Sequence, residues 1–174
     1  IDKSEDIESL AMLEKDNGDV YFVPAFSGLF SPHWDETARG SLFGLTRFSN
    51  KSHLARAVLE SVAFQTYELL ESMEKDLDTE FESLKVDGGM VANNLLMQFQ
   101  SDLLDKSIHS QEINEITALG VGVASYLYVK DLPLSSMSNY ISSSITWNPN
   151  MSNETRINSL ESWYKAIEKA KNWL

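Results

Sequence analysis

Apolar residues recur at three- and four-residue intervals in several stretches of the chain, and the segments between them carry short apolar runs. This alternation is that of an α/β fold. Ser4-Glu5-Asp6 reads as a helix N-cap with acids in the first turn. Ile7, Leu10, Ala11 and Leu13 or Glu14 follow at helical spacing, up to the turn pair Asn17-Gly18. Val20 to Val23 and Gly40 to Leu45 are short β-prone runs around a turn-rich, aromatic loop, Gly28 to Arg39. Asn50 or Ser52 then caps a long helix to about Met73, striped by Leu54, Val58, Val62, Leu69 and Met73. Phe81 to Val86 is a strand candidate, and Asn93 or Asn94 to Leu104 a helix with Leu96, Phe99, Leu103 and Leu104 inward. Ser107 to Ser110 is another short strand. Asn114 or Thr117 to Val129 is a helix of small residues. Residues 135 to 152 have the Ser- and Asn-rich composition of a loop, and Asn153 caps a last helix burying Ile157, Leu160, Trp163, Tyr164, Ile167, Ala170 and Trp173. So few strands make a thin sheet.

The 174 residues, 43% hydrophobic and 23% charged, are enough for one sizeable core. A net charge of −12 argues against nucleic acid, whose binding needs clustered cations. Nearly all of that charge lies in two stretches, seven acids against two lysines over residues 1 to 19 and seven against one over residues 68 to 82. Elsewhere an anionic ligand meets little repulsion. The absence of cysteine excludes disulfides, a thiolate nucleophile and Cys-containing zinc sites. No apolar run reaches the length of a membrane span, and the first residues lack the order of a signal peptide, so a cytoplasmic location is expected. A helical pattern opening at once, without an initiator Met, leads us to expect that more chain precedes it.

The segment with the most chemical promise is LKVDGGMVANN, residues 84 to 94, a strand, two glycines and a helix start. Two glycines let the backbone turn sharply and let a ligand approach the main chain, and the helix start offers N–H groups to phosphate. On these residues alone a plain tight turn is the commoner reading of such a pair. The dinucleotide pattern GxGxxG and the phosphate loop GxxxxGK[ST] are absent. His33, His53 and His109 lie far apart with no partner at i, i+4, so no metal cluster is expected. Trp34-Asp35, with Phe26 and Phe30, forms a binding edge, a plug on the core or an interface with a further domain.

The run Gly40-Ser41-Leu42-Phe43-Gly44-Leu45, seven further residues, and His53 to Glu60 (HLARAVLE) resemble the C-terminal signature of the FGGY family of sugar and polyol kinases. VYFVPAFSGLFSPHWDETARG (20–40), LESVAFQTYELLESM (59–73), VDGGMVANNLLMQFQSDLL (86–104) and EITALGVGVASYL (115–127) resemble its glycerol-phosphorylating members in sequence and order. The likeness is close over residues 18 to 130, looser over 1 to 17 and 154 to 174, and absent over 135 to 152.

The resemblance implies two actin-like (ribonuclease-H-like) domains holding ATP in the cleft between them, with this chain forming most of the second. Residues 1 to 17 would be a helix left from the preceding part, 18 to 134 the domain core and 153 to 174 a terminal helix. By similarity, Gly88, Gly89 and Asn93 contact the nucleotide: the Gly89 backbone lies on the phosphate-ribose side and Asn93 reaches the adenine region. ATP with Mg2+ would be the cofactor, the metal being held mainly through the first domain. That domain would also carry the glycerol site and the aspartate base, so no catalytic residue is expected here and the chain alone should be inactive. Gly120 and Gly122 would serve close helix–sheet packing. A xylulokinase or gluconokinase type, and a non-catalytic actin-like module, are the competing readings. Homo-oligomerisation stays open.

Overall fold

The computed structural model describes residues 3–111, 116–136 and 144–174. In chain order the elements are α1 (Asp6–Ala11), β1 (Tyr21–Val23), β2 (Ser41–Phe43), α2 (Lys51–Leu77), β3 (Ser83–Val86), a 3-10 turn (Gly89–Ala92), α3 (Asn94–Leu104), β4 (Ser107–Gln111), α4 (Ile116–Val129), β5 (Ser144–Trp147) and α5 (Asn153–Ala170). β1 and β2 pair antiparallel, Tyr21 opposite Phe43. β3 and β4 pair parallel, Leu84 opposite Ile108, with α3 as the crossover. β5 joins β4 antiparallel, Ile108 opposite Trp147.

The core lies where α2, α3 and α5 meet these strands. Phe64 of α2 stacks on Trp163 of α5 with centroids 4.8 Å apart, and Phe99 of α3 meets Phe64 edge-on at 5.6 Å. Val23, Leu96, Leu103, Ile108, Trp147 and Ile167 close around them.

Local chemistry sets the helix ends. Asn50, rather than Ser52, caps α2: its Oδ1 accepts the Ser52 and His53 amides at 2.8 and 3.3 Å, and His53 Nδ1 accepts the Asn50 amide. The helix runs on to Leu77, where Asp78 turns left-handed. Its expected stripe is corrected. Val58, Leu69 and Met73 are exposed, Leu54 and Val62 half-buried, and the buried face carries Ala55, Ala57, Leu59, Ser61, Ala63 and Phe64 with Glu60 and Glu68. Small side chains let the neighbouring elements come close, and Leu59, Phe64 and Leu70 are the large apolar side chains buried among them.

Other expectations are also corrected. α1 starts at Asp6 with Glu5 at its cap and no side-chain capping bond, so Ser4 does not cap it. It stops at Ala11, well before Asn17, because Asp16 and Asn17 accept the amides of Gly18 and Asp19 and so hold a turn. α5 is capped by Ser152, whose Oγ accepts the Thr155 amide at 3.2 Å, and not by Asn153. Ile157 and Trp173 are exposed. Part of the Ser- and Asn-rich stretch is strand, since β5 completes the sheet and Trp147 enters the core. Asn114 and residues 137–143 lie outside the described residues. At Gly120 and Gly122 nothing stands within 4 Å of where a Cβ would be, so the close packing expected there is not made among the described residues. α4 buries Val123 and Leu127 and exposes Val121, Tyr128 and Val129.

Candidate nucleotide-contacting site

β3 delivers the chain to Asp87, and the turn that follows is built from backbone bonds. Gly88 has φ 97°, a conformation that L side chains rarely adopt, and its amide donates to Asp87 Oδ1 at 2.7 Å. The Val91 amide donates to the Gly88 carbonyl and the Asn93 amide to the Met90 carbonyl, both at 3.1 Å. Gly88 and Gly89 are exposed, and a Cβ at either would meet nothing within 4 Å. No internal packing therefore requires Gly89 to be glycine. The free space above it is what a planar or charged ligand lying on the main chain would occupy.

Asn93 caps α3: its Oδ1 accepts the Leu96 amide at 2.8 Å and its carbonyl the Met97 amide at 3.1 Å. Its Nδ2 has no partner among the described residues. The Leu95 amide is also taken, by Glu8 Oε1 of α1 at 2.8 Å. The expectation of unpaired amides at this helix start is thus corrected for Leu95 and Leu96, whose amides are taken by a carboxylate and a capping amide of the chain itself. The structure brings Gly88, Gly89 and Asn93 into one turn, and sequence reasoning missed Glu8. With 87 positions between Glu8 and Leu95, no local spacing could reveal it.

Tertiary contacts pair the histidines that sequence spacing left single. His33 Nε2 and Glu68 Oε1 are 2.8 Å apart with both side chains nearly buried. Burial pushes the Glu68 carboxyl up, against the opposing pull of His33 and of the Trp163 N–H, which faces it outside hydrogen-bond geometry. The pair borders a cavity of about 350 Å³ lined by Pro24, Phe26, Leu29 and Gln65 among others. His53 approaches Glu14 at 3.7 Å and His109 bonds Thr146. Among the described residues no group of three or more His, Asp or Glu is placed to hold a metal ion. Nor is any helix long and apolar enough to cross a membrane.

The aromatic loop is not a plug. Phe26 and Trp34 are 74% and 75% exposed, which removes the core-sealing option. Asp35 shapes the loop, its Oδ1 accepting from the Thr37 amide and hydroxyl and from the Ala38 amide, and its Oδ2 from the Asn172 amide. These bonds, that of the Thr37 hydroxyl foremost, hold its carboxyl down at about 2. Glu60, buried on α2, is pushed the other way, up to about 7, because desolvation outweighs the bond from Arg56 at 2.9 Å.

A parallel strand–Gly-Gly–helix–strand unit behind a long capped helix places the chain in a definite class. It belongs to the FGGY family of carbohydrate kinases, the profile of whose C-terminal domain matches residues 1–126. The α/β fold is the actin-like, ribonuclease-H-like type of that domain. Within the family the chain is similar to glycerol kinases. It is 47% identical to that of Brucella anthropi over 180 residues, covering all of this chain and 35% of the relative, and 49% identical to that of Nocardia farcinica over 184 residues, covering 99% and 36%. Among solved structures, the Plasmodium falciparum glycerol kinase with ADP superposes with a TM-score of 0.88 at 34% identity, over 98% of this chain and 34% of that one. A gluconate kinase from Lactobacillus acidophilus, at 20% identity and a TM-score of 0.74 over 96% and 34% of the two chains, shares the fold. The chain spans about a third of the length of the curated relatives it matches.

Proposed function

We propose that this chain is the ATP-contacting C-terminal domain of a kinase that transfers the γ-phosphoryl group of Mg-ATP to a terminal hydroxyl of glycerol, giving sn-glycerol 3-phosphate and ADP. The observation that carries the reading is the 47–49% identity to glycerol kinases along the whole chain. Gly88, Gly89 and Asn93 hold the nucleotide, the main chain at Gly89 on the phosphate-ribose side and Asn93 Nδ2 toward the base. The open space over both glycines supports this placement. Bound ATP supplies the phosphoryl group, and Mg2+ would offset the charge of its phosphates. The polyol site and the base that takes the hydroxyl proton belong to the rest of the protein, so this domain positions one substrate and performs no proton transfer. A reaction that draws on ATP fits the cytoplasm.

The test is an assay of the full-length gene product against glycerol, xylulose and gluconate. Preference for glycerol is expected, and a higher kcat/KM for either other substrate would overturn the assignment. A non-catalytic actin-like module would phosphorylate none of them.

A further inference from the structure

The first turn of α3 is fixed twice by α1. Half-buried Glu8 accepts the Leu95 amide at 2.8 Å, while the Leu95 side chain packs with Ile7 and Leu10 around Ala11, Ala55 and Leu59. Leu95 lies two positions after Asn93. The Asn93 oxygen is spent on Leu96, which leaves the Leu95 amide for an outside acceptor. Without one, that amide would compete for the Asn93 oxygen or turn to water, and either change re-aims the Asn93 amide nitrogen. The negative charge of Glu8 also complements the positive end of the helix dipole, the feature that would otherwise draw a phosphate. A neutral group, such as a nucleotide base, is the better neighbour for a helix end filled in this way.

We propose that Glu8 is a positioning residue for the nucleotide: it holds the first turn of α3 so that Asn93 Nδ2 stays directed at the base while the phosphates lie along Gly89. The proposal rests on the kinase reading given above and adds a residue from outside the strand–turn–helix motif. Glu8 touches no substrate and acts through Leu95 and Asn93.

Glu8→Ala and Glu8→Gln are made in the full-length enzyme, with steady-state constants measured for ATP and glycerol. Glu8→Ala is expected to raise the ATP KM about fivefold, the worth of one net hydrogen bond, with kcat and the glycerol KM within about twofold of the parent. Glu8→Gln retains an acceptor oxygen and should bring the ATP KM back toward the parent value. Thermal destabilisation without any change in ATP KM, or a Glu8→Gln enzyme as impaired as Glu8→Ala, overturns the proposal. Should Glu8→Ala not fold, Glu8→Asp keeps the charge on a shorter arm that falls short of Leu95. A raised ATP KM there supports the proposal and an unchanged one sinks it. Gly89→Val in the same assay separates the two levels of inference. If it leaves the ATP KM unchanged, the nucleotide site itself is misplaced and Glu8 falls with it. If it raises the ATP KM while Glu8→Ala does not, Glu8 falls alone.

Discussion

Gly89 and Gly88 are adjacent and both exposed, yet they make unequal probes. Gly88 is held at φ 97°, so any side chain there strains the turn before a ligand arrives. Gly89 needs no such conformation and meets no neighbour, so Gly89→Val leaves the fold alone and fills only the space above the main chain. Its ATP KM should rise tenfold or more, about 1.4 kcal/mol, with the thermal midpoint of the enzyme nearly unchanged; equal ATP constants would remove Gly89 from the site. Asn93 needs a subtler change, because Ala would delete the cap and the amide together. Asn93→Ser keeps a capping oxygen and loses the amide N–H, so a several-fold rise in ATP KM with stability within about 0.5 kcal/mol is expected. A lowered melting temperature with unchanged kinetics would make Asn93 a cap only. The strand, glycines and cap were legible in the sequence because they lie within eight positions, whereas their contact with nucleotide came only from the family resemblance. The filling of the helix start by Glu8 was not legible, since its cause is tertiary.

Helix α2 was legible in extent but not in orientation. Leu54, Val58, Val62, Leu69 and Met73 recur with helical spacing, yet the core lies against another face, where small residues accompany Leu59, Phe64 and Leu70 and two carboxylates are also buried. Periodicity finds a helix and cannot tell which stripe a neighbour will cover when both are partly apolar. β5 was hidden for the opposite reason: serine and asparagine dominate its surroundings, and only Trp147, seated by pairing with β4, reaches the core. The buried acids give α2 a pH signature. The Glu60 carboxyl stands at about 7 in the folded chain, above its ordinary 4.5, so the folded state binds the proton more tightly. Its stabilising contribution is complete below about pH 4.5 and is lost as pH rises through about 7. Glu60→Gln imitates the protonated form, so its melting temperature relative to the parent should climb between pH 4.5 and 7.5. A constant difference across that range would mean that Arg56 keeps Glu60 charged throughout. Glu68, also raised by burial, adds to the same trend in the parent.

At the scale of the molecule, 174 residues suffice for one sizeable core, and length says nothing of what covers its surface. A core forms around Phe64 and Trp163, but α4 exposes Val121, Tyr128 and Val129, and the aromatic loop exposes Phe26 and Trp34. The curated relatives are about three times as long as this chain. The fold class was legible because the β–Gly-Gly–α–β unit and the capped long helix are local patterns. Which apolar surfaces would remain uncovered was not, because burial depends on tertiary packing that local spacing does not show. The chain expressed alone is expected to give no glycerol-dependent ADP release above background while retaining a cooperative thermal transition. Measurable turnover would place catalytic groups in this chain and overturn the division of labour proposed for it.

The bond from Glu8 to Leu95 also bears on the order of assembly. It closes a loop of 87 residues, whereas the Asn50 cap of α2 and the Asn93 cap of α3 form between near neighbours. Closing a separation of that length costs more chain entropy than closing a local cap, so the bond is expected to form after the local helix caps. The first turn of α3, rather than the local turn at Gly88 and Gly89, would then be fixed as one of the last events of folding. A fusion partner or a cut that displaces residues 6 to 11 should therefore be felt first as lost affinity for nucleotide, in a protein whose larger core around Phe64 and Trp163 is otherwise intact.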